Sequence, residues 1–249
     1  MKNLCFTLTL LCFASLLSAQ SMKGAWQLIS LNGEKVTDRE VIKIATDNYF
    51  ALGSKRIEDN SFLGAAGGEY KLKGDKLIEK RDFDTYDSSK INAVKEYRLT
   101  WIDYKKVQIS DSKHTKIWKK LFSEIDELSG NWVITGRKRG GVMMEMKPLD
   151  RRTIKILTAN RFQWVAFNSA TKTFMASGGG TYSAQDGIYT EHITFFSKDK
   201  NRVGAHLDFN FEVIDGKWHH KGQSSGGKSI YEIWSPYSET YPNALKTQN

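Results

Sequence analysis

Apolar and polar residues alternate with a period of two along most of this chain. Leu207, Phe209, Phe211 and Val213 interleave with His206, Asp208, Asn210 and Glu212, while Phe162, Trp164 and Ala166 interleave with Arg161, Gln163 and Val165. Successive side chains of a β-strand point to opposite faces, so these runs predict strands with one face on a core and one in water. In an earlier run Leu77, Glu79, Arg81 and Phe83 share a face, and in the next Tyr97, Leu99 and Trp101 do so. Turn signals separate the runs at the short spacing of a meander: Asp47-Asn48, Lys73-Gly74-Asp75, Asn168-Ser169, Asp186-Gly187 and Asp215-Gly216. Helix is scarce. The one candidate is Ser123 to Leu128, with Ser123 as N-cap and Gly130 as its stop.

The pattern occurs twice. Gly24-Ala25-Trp26 returns as Gly130-Asn131-Trp132, and a constant offset of 112 positions carries Ile42-Lys43-Ile44 onto Ile154-Lys155-Ile156. The same offset pairs Phe50 with Phe162, Phe62 with Phe174, Gly67-Gly68 with Gly179-Gly180, Tyr70 with Tyr182, Glu79 with Glu191 and Phe83 with Phe195. One supersecondary plan is therefore built twice. The runs and turns give about eight strands per repeat. Eight antiparallel strands can close on themselves and leave no edge exposed, which favours an up-and-down barrel over a sandwich. The fold class read from the chain is all-β, with two tandem small barrels and very little helix. Repeated glycines at one place in both copies are expected to let a long strand bend at a barrel corner.

Lys2, the apolar run from Leu4 to Leu17 and the site Leu17-Ser18-Ala19 read as a secretory signal peptide cut before Gln20. The expected organisation is a leader at 1–19, barrel one at 20–122, a short helical connector at 123–129, barrel two at 130–236 and a poorly ordered tail at 237–249. The leader is short for a membrane span and no second long apolar run follows it, so the chain is not expected to span a membrane. Both cysteines, Cys5 and Cys12, fall in the leader, which removes thiolate zinc sites, cysteine nucleophiles and disulfides from the mature chain.

The formal net charge is +9. It is shared evenly between the repeats and interleaved with acids, without the basic stripe that a nucleic-acid partner requires. No cofactor motif occurs. Gly178-Gly179-Gly180 and Gly64 to Gly68 precede no helix and end in no Gly-Lys-Ser/Thr, so they are not phosphate loops.

Gly-x-Trp at the opening of a small antiparallel barrel resembles the lipocalins, whose tryptophan closes the barrel floor. The second repeat more closely resembles a bacterial secreted lipocalin-like domain family of unknown function. The residues that carry this likeness are Lys155-Ile156-Leu157-Thr158-Ala159-Asn160-Arg161-Phe162-Gln163-Trp164, Gly178 to Tyr182, Tyr189-Thr190-Glu191 and Lys217-Trp218-His219-His220-Lys221-Gly222. The first repeat keeps the glycines, Thr46, Phe50, Tyr70 and Glu79 but has Lys106-Val107-Gln108 in place of the Trp-His-His segment, which points to repeat two as the working copy.

Candidate chemistry follows from strand parity. Tyr189, Glu191, Ile193 and Phe195 share a face, so an inward face would place a carboxylate among aromatic rings. His219 and His220 must point opposite ways, and His220 goes with Trp218. Glu191 and His220 facing one cavity would give an acid and base, although a hydrogen-bonded structural role outweighs that reading. His192 and His206 are expected to point out, too few ligands converge for a metal site, and no serine sits in a nucleophile elbow. Asp82, Asp84 and Asp87 read as a solvated loop, while Arg137-Lys138-Arg139 and Arg151-Arg152 read as basic clusters near a rim that could attract an acidic head group.

The leading reading is an exported binding module. It would hold a small, partly apolar molecule, lipid-like or sugar-like, in the second barrel against Thr158, Phe162, Trp164, Tyr182, Tyr189, Glu191 and His220. The alternative is an isomerase or hydrolase acting on a sugar or lipid, with Glu191 and His220 as its catalytic pair. A third is an envelope interaction protein with filled barrels. Oligomeric state and ligand identity stay open.

Overall fold

A computed structural model, which describes residues 21–121, 125–147, 149–224, 226–241 and 245, folds the two repeats into two closed antiparallel barrels. The first contains β1 (Gly24–Leu31), β2 (Glu34–Lys35), β3 (Arg39–Ala45), β4 (Tyr49–Arg56), β5 (Phe62–Lys73), β6 (Lys76–Asp84), β7 (Val94–Asp103), β8 (Lys106–Ser110) and β9 (Thr115–Leu121). The second contains β10 (Gly130–Arg139), β11 (Val142–Glu145), β12 (Arg151–Thr158), β13 (Arg161–Asn168), β14 (Thr173–Gln185), β15 (Ile188–Phe196), β16 (His206–Ile214), β17 (Lys217–Gln223) and β18 (Ser229–Pro236). Leaving aside β2 and β11, each strand pairs with the next in sequence, and closure comes from β1 on β9 and β10 on β18. The short β2 and β11 only extend the hairpin ends of β1 and β10, so each wall has eight strands. Among the described residues no helix is long and apolar enough to cross a membrane.

The floor is set by the duplicated Gly-x-Trp. Trp26 Nε1 donates to the Met22 carbonyl at 2.7 Å, and Trp132 Nε1 to the Leu128 carbonyl at 2.8 Å. Each indole thus buries its ring on the barrel core while its one donor is satisfied by the chain entering the strand. The glycine pairs mark β-bulges: the β5–β6 register shifts between Gly67 and Gly68, and the β14–β15 register between Gly179 and Gly180. A Cβ on Gly68 would lie 2.1 Å from the Lys80 carbonyl oxygen, and one on Gly180 would lie 1.9 Å from that of His192. Only glycine lets the backbones approach this closely where the wall turns.

Several expectations need correction. Phe195 does not share a face with Glu191, because the bulge opposite Gly179-Gly180 advances the strand by one residue. Phe195 therefore turns outward against Phe62 and Phe196 turns in against Trp164. The helical connector is not formed over 125–128: Asp126 accepts from the Leu128 backbone N–H at 3.0 Å, which closes a turn instead. Ser123 and Glu124 lie outside the described residues, as does the leader at 1–19. The segment expected as a disordered tail begins with a short helix, α1 (Tyr237–Thr240), whose Tyr237 is buried between the barrels.

The outer faces of β3–β6 and β12–β15 are not in water. Ile44, Tyr49, Ala51 and Phe83 of the first barrel pack with Val133, Ile154, Ile156, Val165 and Phe167 of the second in one shared core. Phe62 and Phe174, equivalent in the duplication, stack on each other with centroids 5.9 Å apart. Equivalent strands meet across the contact, with β3 on β12 and β4 on β13, so the two halves pack about an approximate two-fold axis. Polar bonds cross it as well. Gln163 Nε2 donates to the Leu52 carbonyl at 3.2 Å, Asn92 Nδ2 donates to that of Ser169 at 3.0 Å, and Arg152 Nη1 lies 3.2 Å from Asp82. Asp82 and Asp84 are thus buried rather than solvated, and Arg152 lies in the contact rather than at a rim.

Candidate functional site

Inward residues of seven strands meet in the interior of the second barrel. They enclose a cavity of about 320 Å³, lined by Lys155 of β12, Trp164 of β13, Glu191 of β15, His220 of β17, Glu232 and Trp234 of β18 and Arg137 of β10, with apolar residues between.

At its inner end lies a buried ion pair. Lys155 Nζ donates to Glu191 Oε1 at 2.7 Å, with both side chains about 5% exposed. The ammonium lies 5.0 Å from the ring centroids of Tyr189 and Trp218 and 5.3 Å from that of Trp234. An aromatic cage and a carboxylate together replace the water lost on burial. Tyr189 donates its hydroxyl to the same Oε1 at 3.0 Å. Burial, reinforced by the Glu191 charge, raises the phenol well above its ordinary value, so it stays a donor.

His220 is 2% exposed, and neither ring nitrogen has a hydrogen-bond partner among the described residues. Its ring lies 4.1 Å from that of Phe209, and Nδ1 is 3.6 Å from Glu232 Oε2, too long for a hydrogen bond. Burial first, and the Lys155 charge second, push the imidazole pKa down, which leaves it neutral with one donor and one acceptor to offer. Burial would raise the Glu232 carboxyl, but the Arg137 and Lys155 cations pull it below the ordinary carboxylate range. Arg137 Nη2 donates to Glu232 Oε1 at 2.5 Å. The charges facing the cavity therefore cancel in two pairs, and the imidazole is left over.

Of the residues singled out from the sequence, Trp164, Glu191 and His220 line the cavity together. Phe162, Tyr182 and Tyr189 belong to the packed core beneath it. Thr158 is buried at the β12–β13 turn with the parity of Ile154 and Ile156, away from the cavity. His192 and His206 stack on each other across β15 and β16, at 4.3 Å between ring centroids, outside the barrel. Lys155, Arg137 and Glu232 were not singled out as cavity residues. The signal for Lys155 was present, because Lys43 and Glu79 recur at one offset as Lys155 and Glu191. The first barrel indeed repeats the pair, with Lys43 Nζ 2.7 Å from Glu79 Oε1. Among the described residues no group of three or more histidine, cysteine or acidic side chains could hold a metal ion.

Among solved structures, the chain is similar to a lipocalin-like protein from Bacteroides uniformis ATCC 8492, with 17% identity and a TM-score of 0.31 over 39% of this chain and 96% of that one. It is also similar to an uncharacterized protein from Bacteroides eggerthii DSM 20697, with 15% identity and a TM-score of 0.32 over 40% and 99% of the two chains. No curated protein matches it. The sequence from 127 to 241, which contains the whole wall of the second barrel and its cavity, matches the model of a family described as a domain of unknown function, DUF4488.

Proposed function

We propose that this chain is an exported binding protein whose second barrel holds a small, partly apolar and uncharged molecule with a hydroxyl or carbonyl group. The observation that carries this reading is His220: a neutral imidazole with both nitrogens unpartnered among the described residues, buried on the wall of a cavity of about 320 Å³. A buried polar group left without a partner costs about 1–3 kcal/mol, and a ligand hydroxyl would recover it. Balanced charge around the imidazole favours an uncharged ligand, such as an alcohol, a sterol or a glycoside. The free volume supports a carrier over a barrel filled by its own side chains.

Exchange of His220 for Phe separates a binding role from a structural one. The variant should lose roughly tenfold or more in ligand affinity. Its ligand-free melting temperature should rise by a few degrees, because removing an unsatisfied group contributes about 1 kcal/mol. A structural histidine would give the reverse, a lower melting temperature. Native mass spectra without retained ligand, together with thermal shifts that stay flat across sterol, fatty-alcohol and glycoside libraries, would remove the proposal.

Binding is favoured over acid–base catalysis by Glu191 and His220 because the two groups face different partners. Glu191 Oε1 is engaged by an ammonium and a phenol, and the carboxylate beside His220 is Glu232. Export rests on the apolar leader from Leu4 to Leu17 and the small residues before Gln20. The chain recovered from the envelope or medium should start at Gln20, as read by intact mass. Recovery of a chain that retains residues 1–19 from the cytoplasm alone would count against it.

A further inference from the structure

At one equivalent place the two barrels carry opposite charges. Glu232 of β18 stands opposite His220 of β17 and Arg137 of β10. In the first barrel the same position on β9 is Lys116, opposite Ile109 of β8 and Leu31 of β1. Each precedes by two residues the tryptophan that ends the wall, Trp234 or Trp118. An acid held by an arginine is thus replaced by a base flanked by aliphatic side chains.

The Lys116 ammonium makes no ion pair or hydrogen bond among the described residues, although it lines a cavity of about 280 Å³. The other cations there are already engaged: Arg81 with Glu79 at 3.0 Å and with Asp84, Arg39 with Asp38 at 2.5 Å, and Lys90 with Asp87 at 3.4 Å. Burial, and then Arg81, lower the Lys116 pKa, while Glu79 and Asp111, the latter on the same wall, offset this only in part from beyond contact distance. The rest of the wall includes Leu28, Leu52 and Trp118.

We propose that the first barrel is a second binding site, specific for an amphipathic organic anion. Lys116 takes the acidic head group in a charge-assisted hydrogen bond, and the apolar body lies against Leu28, Leu52 and Trp118. The two barrels of one chain then sort ligands by charge, with uncharged molecules in the second and anions in the first.

Calorimetric titration of the full chain tests this with three probes: decanoate, 1-decanol and inorganic phosphate. Decanoate should bind at least roughly tenfold more tightly than decanol, and phosphate should give no measurable heat. Lys116→Met should weaken decanoate by roughly ten- to a hundredfold, Lys116→Arg should retain it, and Lys119→Met, an exposed control on the same strand, should leave it unchanged. Equal affinity for decanol, or decanoate affinity indifferent to both Lys116 variants, would overturn the proposal. Phosphate binding as tightly as decanoate would also overturn it, since the apolar wall would then contribute nothing. If Lys116→Met lost its near-ultraviolet circular dichroism, the Lys116→Arg and decanol arms would still decide the matter.

Discussion

Replacing Lys155 by Met should cost about 3–5 kcal/mol of stability, because it leaves the Glu191 carboxylate buried with only the Tyr189 hydroxyl to answer it. Both partners are about 5% exposed, so solvent cannot take over the role of the ammonium. The measurement is the urea midpoint at neutral pH, read at constant m-value. Combining Lys155→Met with Glu191→Leu should recover most of the loss, since exchanging both charges for apolar groups of similar shape also removes the desolvation cost that the pair carries. The first barrel supplies an internal control. Glu79 faces two cations there, Lys43 at 2.7 Å and Arg81 at 3.0 Å, and although burial would raise its carboxyl, they hold it at about 2. Lys43→Met should therefore cost clearly less than Lys155→Met, because Arg81 remains. Equal costs in the two barrels, or a loss below about 1 kcal/mol in both, would show that water reaches the carboxylates and that neither pair is buried in solution.

The duplication made the architecture legible before any coordinates, because strand parity, turn spacing and paired glycines all recur at fixed positions and all demand the same closed meander. What misled was the assumption that the apolar face of each strand is the inner one. In Ile154-Lys155-Ile156 the isoleucines point out of the barrel into the shared core, and the lysine points in. Parity alone leaves inside and outside interchangeable there, since the sister barrel buries the outer face. Phe195 escaped for another reason: a bulge shifts parity by one residue, and Gly179-Gly180 announces a bend without saying on which side the next aromatic falls. Glu191 and His220 were found because the aromatic neighbours on their own strands fix their parity. The charged groups beside them, Lys155 and Glu232, lie on other strands, and no spacing along one strand encodes a pairing across the barrel. Asp82 and Arg152 looked solvated for the same reason, each being the counter-ion of a residue about seventy positions away.

The loss of Asp82 should fall on the joint between the barrels rather than on either barrel. Its carboxylate accepts from Tyr49 at 2.9 Å, from Arg152 Nη1 at 3.2 Å and from Tyr237 at 3.3 Å, so one acid from the first barrel ties together an arginine and a C-terminal tyrosine from the second. Burial, with the Asp82 charge adding to it, raises both phenols well above their ordinary value and keeps them as donors. Asp82→Ala strands a guanidinium whose side chain is 9% exposed together with two phenols, an expected cost of about 3–5 kcal/mol. Asp82→Asn keeps an acceptor in place and should cost less. Calorimetry would show where the loss is felt. If the shared core and this network couple the halves, the unaltered chain melts in one transition, and Asp82→Ala splits it into two as the barrels begin to unfold separately. Pairing Asp82→Leu with Arg152→Met should restore a single transition, because the apolar contact of Ile44, Phe83, Ile154 and Phe167 survives once no charge is left without a partner. Two well-separated transitions in the unaltered chain would mean that the interface, for all its burial, does not make the barrels one folding unit.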